Sequence, residues 1–257
     1  NHIDLFSDTL YFVSHLLAIY APISWITPAI ERRPLLPLAI FDLDETLLSG
    51  DSDHAWGEFL VSKALVDGAQ FKAENDRFYQ QYRAGQLDVT SYLAFSCAPL
   101  ARIPWQTLEI LHSEFMATVI EPIILPKGRA LIAQHQTQGD FVMVITATLD
   151  FITRPIVSAL GIDTLLAPVA EFKNGQYTGQ VPGIATLGQG KVDRLALWLE
   201  DKPFTLQGST FYSDSRNDLP LLQQVDHPVC VDPDPVLRAH AKAHDWPIIS
   251  LRDPISV

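Results

Sequence analysis

Cysteine is nearly absent from this chain of 257 residues: Cys97 and Cys230 are the only two, far apart and in no metal-type spacing. That excludes a disulfide scaffold and predicts two inert, buried thiols in a reducing, cytoplasmic setting. Positive charge is scarce as well. Eighteen Lys and Arg stand against 30 Asp and Glu, a net charge of −12. The field of such a molecule repels polyphosphate backbones and excludes nucleic acid as a partner class. Charged residues make up only 19% of the chain and hydrophobic ones 47%, which excludes a disordered polymer and describes a packed globular protein. Internal repeats and low-complexity tracts are lacking. The length suits one large domain, or a core domain carrying a smaller one.

One long apolar stretch is present. From Leu10 to Ile30 the only interruptions are Ser14, His15, Pro22, Ser24, Thr27 and Pro28, a length close to that of a bilayer span. The two prolines disfavour a straight transmembrane helix, and Asp4 and Asp8 are the wrong flank for a signal peptide. Residues 1–34 are therefore expected to form a hydrophobic extension packed on the domain. Membrane contact through residues 10–30 is the less favoured alternative.

The rest of the chain is organised around Leu38-Ala39-Ile40-Phe41-Asp42-Leu43-Asp44, a short apolar run stopped by two carboxylates. It reads as a buried parallel strand over 37–42. Carboxylates at i and i+2 on a strand share a face, where their repulsion is costly unless a cation lies between them. From Asp53 to about Glu121 strand signals vanish. Amphipathic helices are predicted near 54–66, 69–84, 89–98 and 105–119, so residues 51–121 read as an all-helical insertion. A further helix over 123–138 returns the chain to a core built from residues 35–50 and 122–257. Alternation then resumes with strands at 141–146, 164–167, 210–213, 228–231 and 247–250. Helices at 151–160, 191–199, 219–224 and 236–243 separate them. An Asn-Gly hairpin turn is predicted at 174–175. This order means an α/β fold, a doubly wound parallel sheet with an inserted helical domain.

Four strand ends carry the chemistry. After Asp42 and Asp44 come Thr146, at the end of a strand, and Lys191, opening a helix after Gly188-Gln189-Gly190. Last comes Ser213-Asp214-Ser215-Arg216-Asn217-Asp218, a strand end with an Asp-x-x-x-Asp pair. A hydroxyl, a fixed ammonium and four carboxylates suit Mg²⁺ and a phosphoryl group, because Mg²⁺ takes hard oxygen ligands and usually shares them with substrate phosphate. Two other patterns carry less. His240 and His244 have metal-type spacing but no third ligand nearby, and read as a solvated helix face. Residues 183–191 fail as a phosphate loop, since Ala185 stands where the first Gly belongs and Val192 follows the Lys.

The set Asp-x-Asp-x-Thr, Thr, Lys and Asp-x-x-x-Asp resembles the haloacid dehalogenase-like hydrolase superfamily, over the chain from about Pro37 to its end. The helical insertion between Asp42 and Thr146 resembles the phosphoserine-phosphatase-like branch, whose helical cap covers the site. Further stretches resemble a bacterial sub-branch with members assigned as L-histidinol-phosphate phosphatases: Gly50-Asp51-Ser52-Asp53 with Trp56-Gly57, Ile145-Thr146-Ala147-Thr148, and residues 213–222. The resemblance implies an Mg²⁺-dependent phosphatase in which Asp42 is the nucleophile that becomes an aspartyl-phosphate. It makes Asp44 the general acid and base, and Thr146 and Lys191 the holders of the phosphoryl oxygens. Asp42, Asp214, Asp218 and the main chain of Asp44 are then the metal-site residues. Asp51, Asp53, Ala147 and Asn217 are candidate substrate contacts, although Asp51 and Asp53 could equally cap a helix.

Two departures from the phosphoserine-phosphatase pattern bear on substrate. Asp51 stands where those enzymes place a Glu for the substrate ammonium. Ala94 aligns with their cap Arg, which receives the substrate carboxylate. Without that guanidinium a carboxylate loses its bidentate partner, so the expected substrate is a small amine-bearing phosphate monoester, L-histidinol phosphate before O-phosphoserine. Alternatives are a membrane-docked lipid-phosphate phosphatase and a receiver-like module that holds phosphate to signal. The last has no use for an acid at Asp44 or for so long a cap.

Overall fold

The computed structural model describes residues 36–252. The expected hydrophobic extension over residues 1–34, with its apolar stretch 10–30, lies outside the described residues. Among those described, no helix is long and apolar enough to cross a membrane.

Six parallel strands form the main sheet: β1 (Leu38–Phe41), β2 (Phe141–Ile145), β3 (Thr164–Leu166), β6 (Thr210–Ser213), β7 (His227–Val231) and β8 (Ile248–Ile249). Their order is β3-β2-β1-β6-β7-β8. The chain builds outward from β1 to one side, then returns and builds outward from β6 to the other. The reversal between β1 and β6 is a topological switch point, where α/β sheets open a crevice at their carboxyl edge. A separate antiparallel hairpin joins β4 (Phe172–Lys173) to β5 (Gln176–Tyr177). Its turn residues Asn174 and Gly175 have φ of 53° and 81°, the left-handed pair that an Asn-Gly turn supplies.

The period of two in β1 divides the core. Ala39 and Phe41 enter one apolar cluster with Val144, Ile152 and Ile156. Leu38 and Ile40 enter the other with Met143, Ile145, Phe211 and Leu195. All four residues of β1 are buried, as a central strand covered on both faces requires. The helices beyond the insertion are α5 (Pro126–Gln138), α6 (Asp150–Ala159), α7 (Gln189–Leu199), α8 (Leu219–Leu222) and α9 (Pro235–Ala243).

Between β1 and β2 lie α1 (Ser52–Ser62), α2 (Gly68–Ala84), α3 (Val89–Arg102) and α4 (Trp105–Phe115). The predicted helix over 105–119 leaves the α form at Phe115 and continues as a π turn over Met116–Ile120. The helix expected from Ile123 begins at Pro126, where the fixed φ of proline suits a first turn. Trp56 is buried against Phe59, Phe115 and Phe151. The insertion leaves and rejoins the core at one place. Leu48 bridges Ile124, the Ser49 amide donates to the Ile123 carbonyl, and the Leu125 amide donates to the Leu47 carbonyl.

Candidate active site

The strand β1 stops at Phe41, so Asp42 and Asp44 both lie on the loop that leaves it. The expectation that they share a strand face does not hold. Glu45, at a φ of 58°, turns the loop, and Asp44 is fixed by hydrogen bonds instead. Its Oδ1 accepts from the Ser52 amide at 2.6 Å and its Oδ2 from the Thr148 hydroxyl at 2.9 Å. Burial raises the Asp44 carboxyl above its usual range, against the pull of the bonds from Ser52 and Thr148. Ser52 opens α1, so the first turn of the inserted helices holds this carboxylate directly.

Asp42 is 3% exposed. Its Oδ1 accepts from Lys191 Nζ at 2.8 Å, while its Oδ2 is buried with no hydrogen-bond partner. Desolvation pushes this carboxyl up and the Lys191 charge pulls it down, with Asp218 opposing the pull. Lys191 also donates to Asp218 Oδ2 at 2.7 Å, an oxygen that accepts from the Ser213 hydroxyl at the same distance. Burial works against the Lys191 ammonium, but Asp218 and Asp42 outweigh it and hold it above its usual value. The close approach ahead of this lysine explains Gly190: a Cβ there would stand 1.8 Å from the Ala185 carbonyl oxygen.

Asp214 follows β6 across the switch point. Thr46 ties it to the β1 loop twice, donating its hydroxyl to Asp214 Oδ1 and accepting from the Asp214 amide, both at 3.1 Å. Burial, with Asp42 and Asp218 nearby, pushes Asp214 well above the ordinary carboxylate range. Asp42 and Asp218 therefore share one buried ammonium, with Asp214 as a third acid nearby, an arrangement that is short of positive charge. Thr146 follows β2. Its hydroxyl oxygen accepts from the Thr148 amide at 3.2 Å, and its carbonyl accepts from the Thr186 hydroxyl.

Beside Asp42 and Asp44 opens a pocket lined also by Asp51, Asp53, His54, Asn75, Tyr79, Tyr82, Tyr92, Thr146 and Ala147. Among the described residues, no Arg or Lys lines it. Asp51 caps α1, accepting from the His54 amide at 2.8 Å, and also faces the pocket, so the two readings of this residue are compatible. Asp53 accepts from the Ser96 hydroxyl at 2.6 Å, and burial raises its carboxyl to about 6. Burial pushes Asp51 well up, with Asp44 and Asp53 adding to the shift. Asn217 does not line the pocket; its amide donates to the Tyr82 carbonyl at 3.0 Å. Ala94 is exposed on α3, away from the lining, so the lack of a cation is a property of the pocket and not of that position. Thr46, Ser52, Thr148 and Ser213 were missed from sequence. All four lie in the motif stretches quoted above, Thr46 as the Thr of Asp-x-Asp-x-Thr and the others beside the named acids and Thr146.

The family model for haloacid dehalogenase-like hydrolases matches residues 39–223, which hold every one of these groups. The chain belongs to that family. Within the haloacid dehalogenase-like hydrolases it is an enzyme of the phosphatase kind, in the phosphoserine- and histidinol-phosphatase-like branch that the motifs implied. It is 46% identical to a histidinol-phosphatase of Neisseria meningitidis serogroup C, over 84% of this chain and 99% of that one. It is 28% identical to a phosphoserine phosphatase of Mycobacterium tuberculosis, over 98% and 85%. Among solved structures, a protein of unknown function from Bordetella pertussis Tohama I superposes with a TM-score of 0.79 at 37% identity, covering 85% of this chain and all of that one. A phospho-aspartyl intermediate analogue of phosphoserine phosphatase gives 0.63 at 18% identity, over 86% and 96%, and so shares the fold.

Proposed function

We propose that this enzyme hydrolyses the phosphate monoester of a small amino alcohol, L-histidinol phosphate before O-phosphoserine, through an aspartyl-phosphate at Asp42. The observation that carries the substrate reading is the pocket itself: Asp51 and Asp53, both raised by burial, stand among tyrosines with no Arg or Lys on the lining. Carboxylates held by neutral donors, with no Arg or Lys beside them, favour a cationic ligand, and aromatic faces accept a flat ring or an ammonium. A substrate carboxylate would meet Asp51 and Asp53 there with no guanidinium or ammonium to pair it. The relative named a histidinol-phosphatase supports the same reading.

In this mechanism Asp42 attacks phosphorus through Oδ2, the oxygen without a hydrogen bond, and the bond from phosphorus to the leaving oxygen breaks. Asp44, whose carboxyl burial holds above its usual range, gives a proton to the departing alkoxide, then takes one from the water that opens the aspartyl-phosphate. Thr146, whose oxygen already accepts from Thr148, has its hydroxyl hydrogen free for a phosphoryl oxygen. Lys191 supplies a point charge beside it. The donor set fits Mg²⁺: Asp42 and Asp218 share one ammonium, and Asp214 adds a further hard oxygen donor across the switch point. Asp42, Asp214, Asp218 and the main chain of Asp44 would hold the ion, which when bound supplies Lewis-acid charge to the phosphoryl oxygens.

The test is phosphate release, with Mg²⁺ and with excess EDTA, from L-histidinol phosphate, O-phosphoserine, phosphoethanolamine, sugar phosphates and lysophosphatidic acid. The expected result is the highest kcat/KM for L-histidinol phosphate and no turnover in EDTA. A preference for phosphoserine would overturn the substrate reading. Turnover in the absence of metal would overturn the Asp214 site.

A further inference from the structure

Three tyrosines enter the site from the inserted helices, and each lies within electrostatic reach of a different set of carboxylates. Tyr92 is within reach of Asp53, Asp51 and Asp44, and Tyr79 of Glu45 and Asp51. Tyr82 instead faces Asp42, Asp214 and Asp218 and reaches the side chain of Ser215. With Tyr79 it lines two cavities: the pocket beside Asp42 and Asp44, and a second one bounded by Asp214, Ser215, Arg83 and Arg216. Of the tyrosines on this wall, Tyr82 is the one within reach of Asp42, Asp214 and Asp218.

Its position is set from the core. Asn217 donates through Nδ2 to the Tyr82 carbonyl at 3.0 Å, and Arg216 donates through Nη2 to the Arg83 carbonyl at 2.6 Å. Both carbonyls lie in the last turn of α2, which ends at Gly85 in the left-handed region, and the Tyr82 carbonyl accepts from the Gly85 amide as well. A Cβ on Gly85 would lie 3.4 Å from Asn217 Oδ1. The donors therefore approach the helix end closely, and they sit on the same loop as Asp214 and Asp218.

We propose that Tyr82 is the contact of the inserted helices with the phosphoryl group: its hydroxyl donates to a phosphoryl oxygen, and Arg216 and Asn217 hold it in register with Asp214 and Asp218. A neutral phenol is an acid-rich site's natural donor to an anionic oxygen, because unlike the carboxylates around it, it adds no negative charge. The proposal rests on the phosphatase reading above but not on the identity of the leaving group.

The experiment compares the wild-type chain with Tyr82→Phe, Asn217→Ala and the double variant. L-histidinol phosphate and p-nitrophenyl phosphate serve as substrates, and Mg²⁺-dependent orthovanadate binding is measured calorimetrically. Tyr82→Phe keeps the ring and its packing, and unchanged circular dichroism confirms the fold. A lost hydrogen bond to a charged oxygen predicts a drop of roughly 10- to 100-fold in kcat/KM. The factor should be equal for both substrates and matched by vanadate affinity. Asn217→Ala should lose activity by a smaller factor that disappears in the Tyr82→Phe background, because it acts through Tyr82. Unchanged vanadate affinity, or a loss confined to the amine-bearing substrate, would overturn the proposal and make Tyr82 a wall of the leaving-group pocket. If wild type turns over neither substrate, the phosphatase reading falls, and vanadate affinity still decides the role of Tyr82.

Discussion

Replacing Asp53 by Asn should make the protein more stable at neutral pH and less able to bind its substrate. Asp53 is buried, and desolvation outweighs its bonds from Ser96 and Tyr92 to raise it from 3.8 to about 6. At about 1.4 kcal/mol per pH unit, that gap corresponds to on the order of 3 kcal/mol of stability lost when the folded protein must ionise this group. Because the folded value lies above the unfolded one, the penalty is complete above about pH 6. It shrinks as the pH falls toward 4 and is absent below that. Asn brings an amide hydrogen that needs a partner, which reduces the expected gain to about 1–2 kcal/mol at pH 8. For a chain of this size that is about 2–8 °C in Tm. Urea unfolding of both proteins at pH 8, 6 and 4 measures it, and the curves should converge at the acid end. L-histidinol, which lacks the phosphate, should raise the Tm of wild type and raise that of the variant less, since the ammonium relieves the carboxylate it contacts. A variant less stable than wild type at pH 8, or a gain independent of pH, would refute the reasoning.

Three further outcomes follow from the geometry. Asp42→Asn should abolish turnover while leaving circular dichroism unchanged, and retained activity would remove Asp42 as nucleophile. Lys191→Met leaves the buried carboxylates of Asp42 and Asp218 without their ammonium. It should cost about 3–5 kcal/mol in denaturant unfolding at pH 7, and an unchanged midpoint would contradict the network. Gly190→Ala drives a Cβ into the Ala185 carbonyl and displaces Lys191, so kcat should fall roughly 100-fold. A fully active variant would show that the lysine is placed by something other than this contact.

Much of this was legible because the residues concerned sit at strand ends. The apolar run 38–41, the Thr210–Ser213 strand and the Asn-Gly turn each carry a local signal that tertiary structure did not override. The gathering of Asp42, Thr146 and Asp214 could be expected because parallel strands all deliver their carboxyl ends to one edge, whereas Lys191 reaches it from the first turn of α7. What periodicity could not supply was the orientation of Asp44. It depends on a left-handed Glu45 and on donors from Ser52 and Thr148, which are 8 and 104 residues away in sequence. Asn217 sits in a motif with the metal-site acids, yet its amide is turned to a helix carbonyl. No spacing rule records which way a side chain in a tight turn faces. The π turn at Met116 was hidden for a similar reason, since one extra residue in a helical turn leaves the apolar pattern almost unchanged.

The crossing at Leu48 and Ile124 brings the two ends of the insertion to one place on the core, while contacts such as Trp56 with Phe151 and Asn217 with the Tyr82 carbonyl tie its helices back to the sheet edge. Two neighbouring stretches of backbone enter and leave together, and the entropy of closing so long a loop grows only slowly with its length. Chemistry and selectivity are thereby written on separate pieces of chain. The acids that break and make the bond to phosphorus belong to the sheet edge, and most of the leaving-group wall belongs to the module. A different set of helices grafted between the same two residues would present a new wall to the same reaction, which makes this doorway the natural place to exchange one substrate for another.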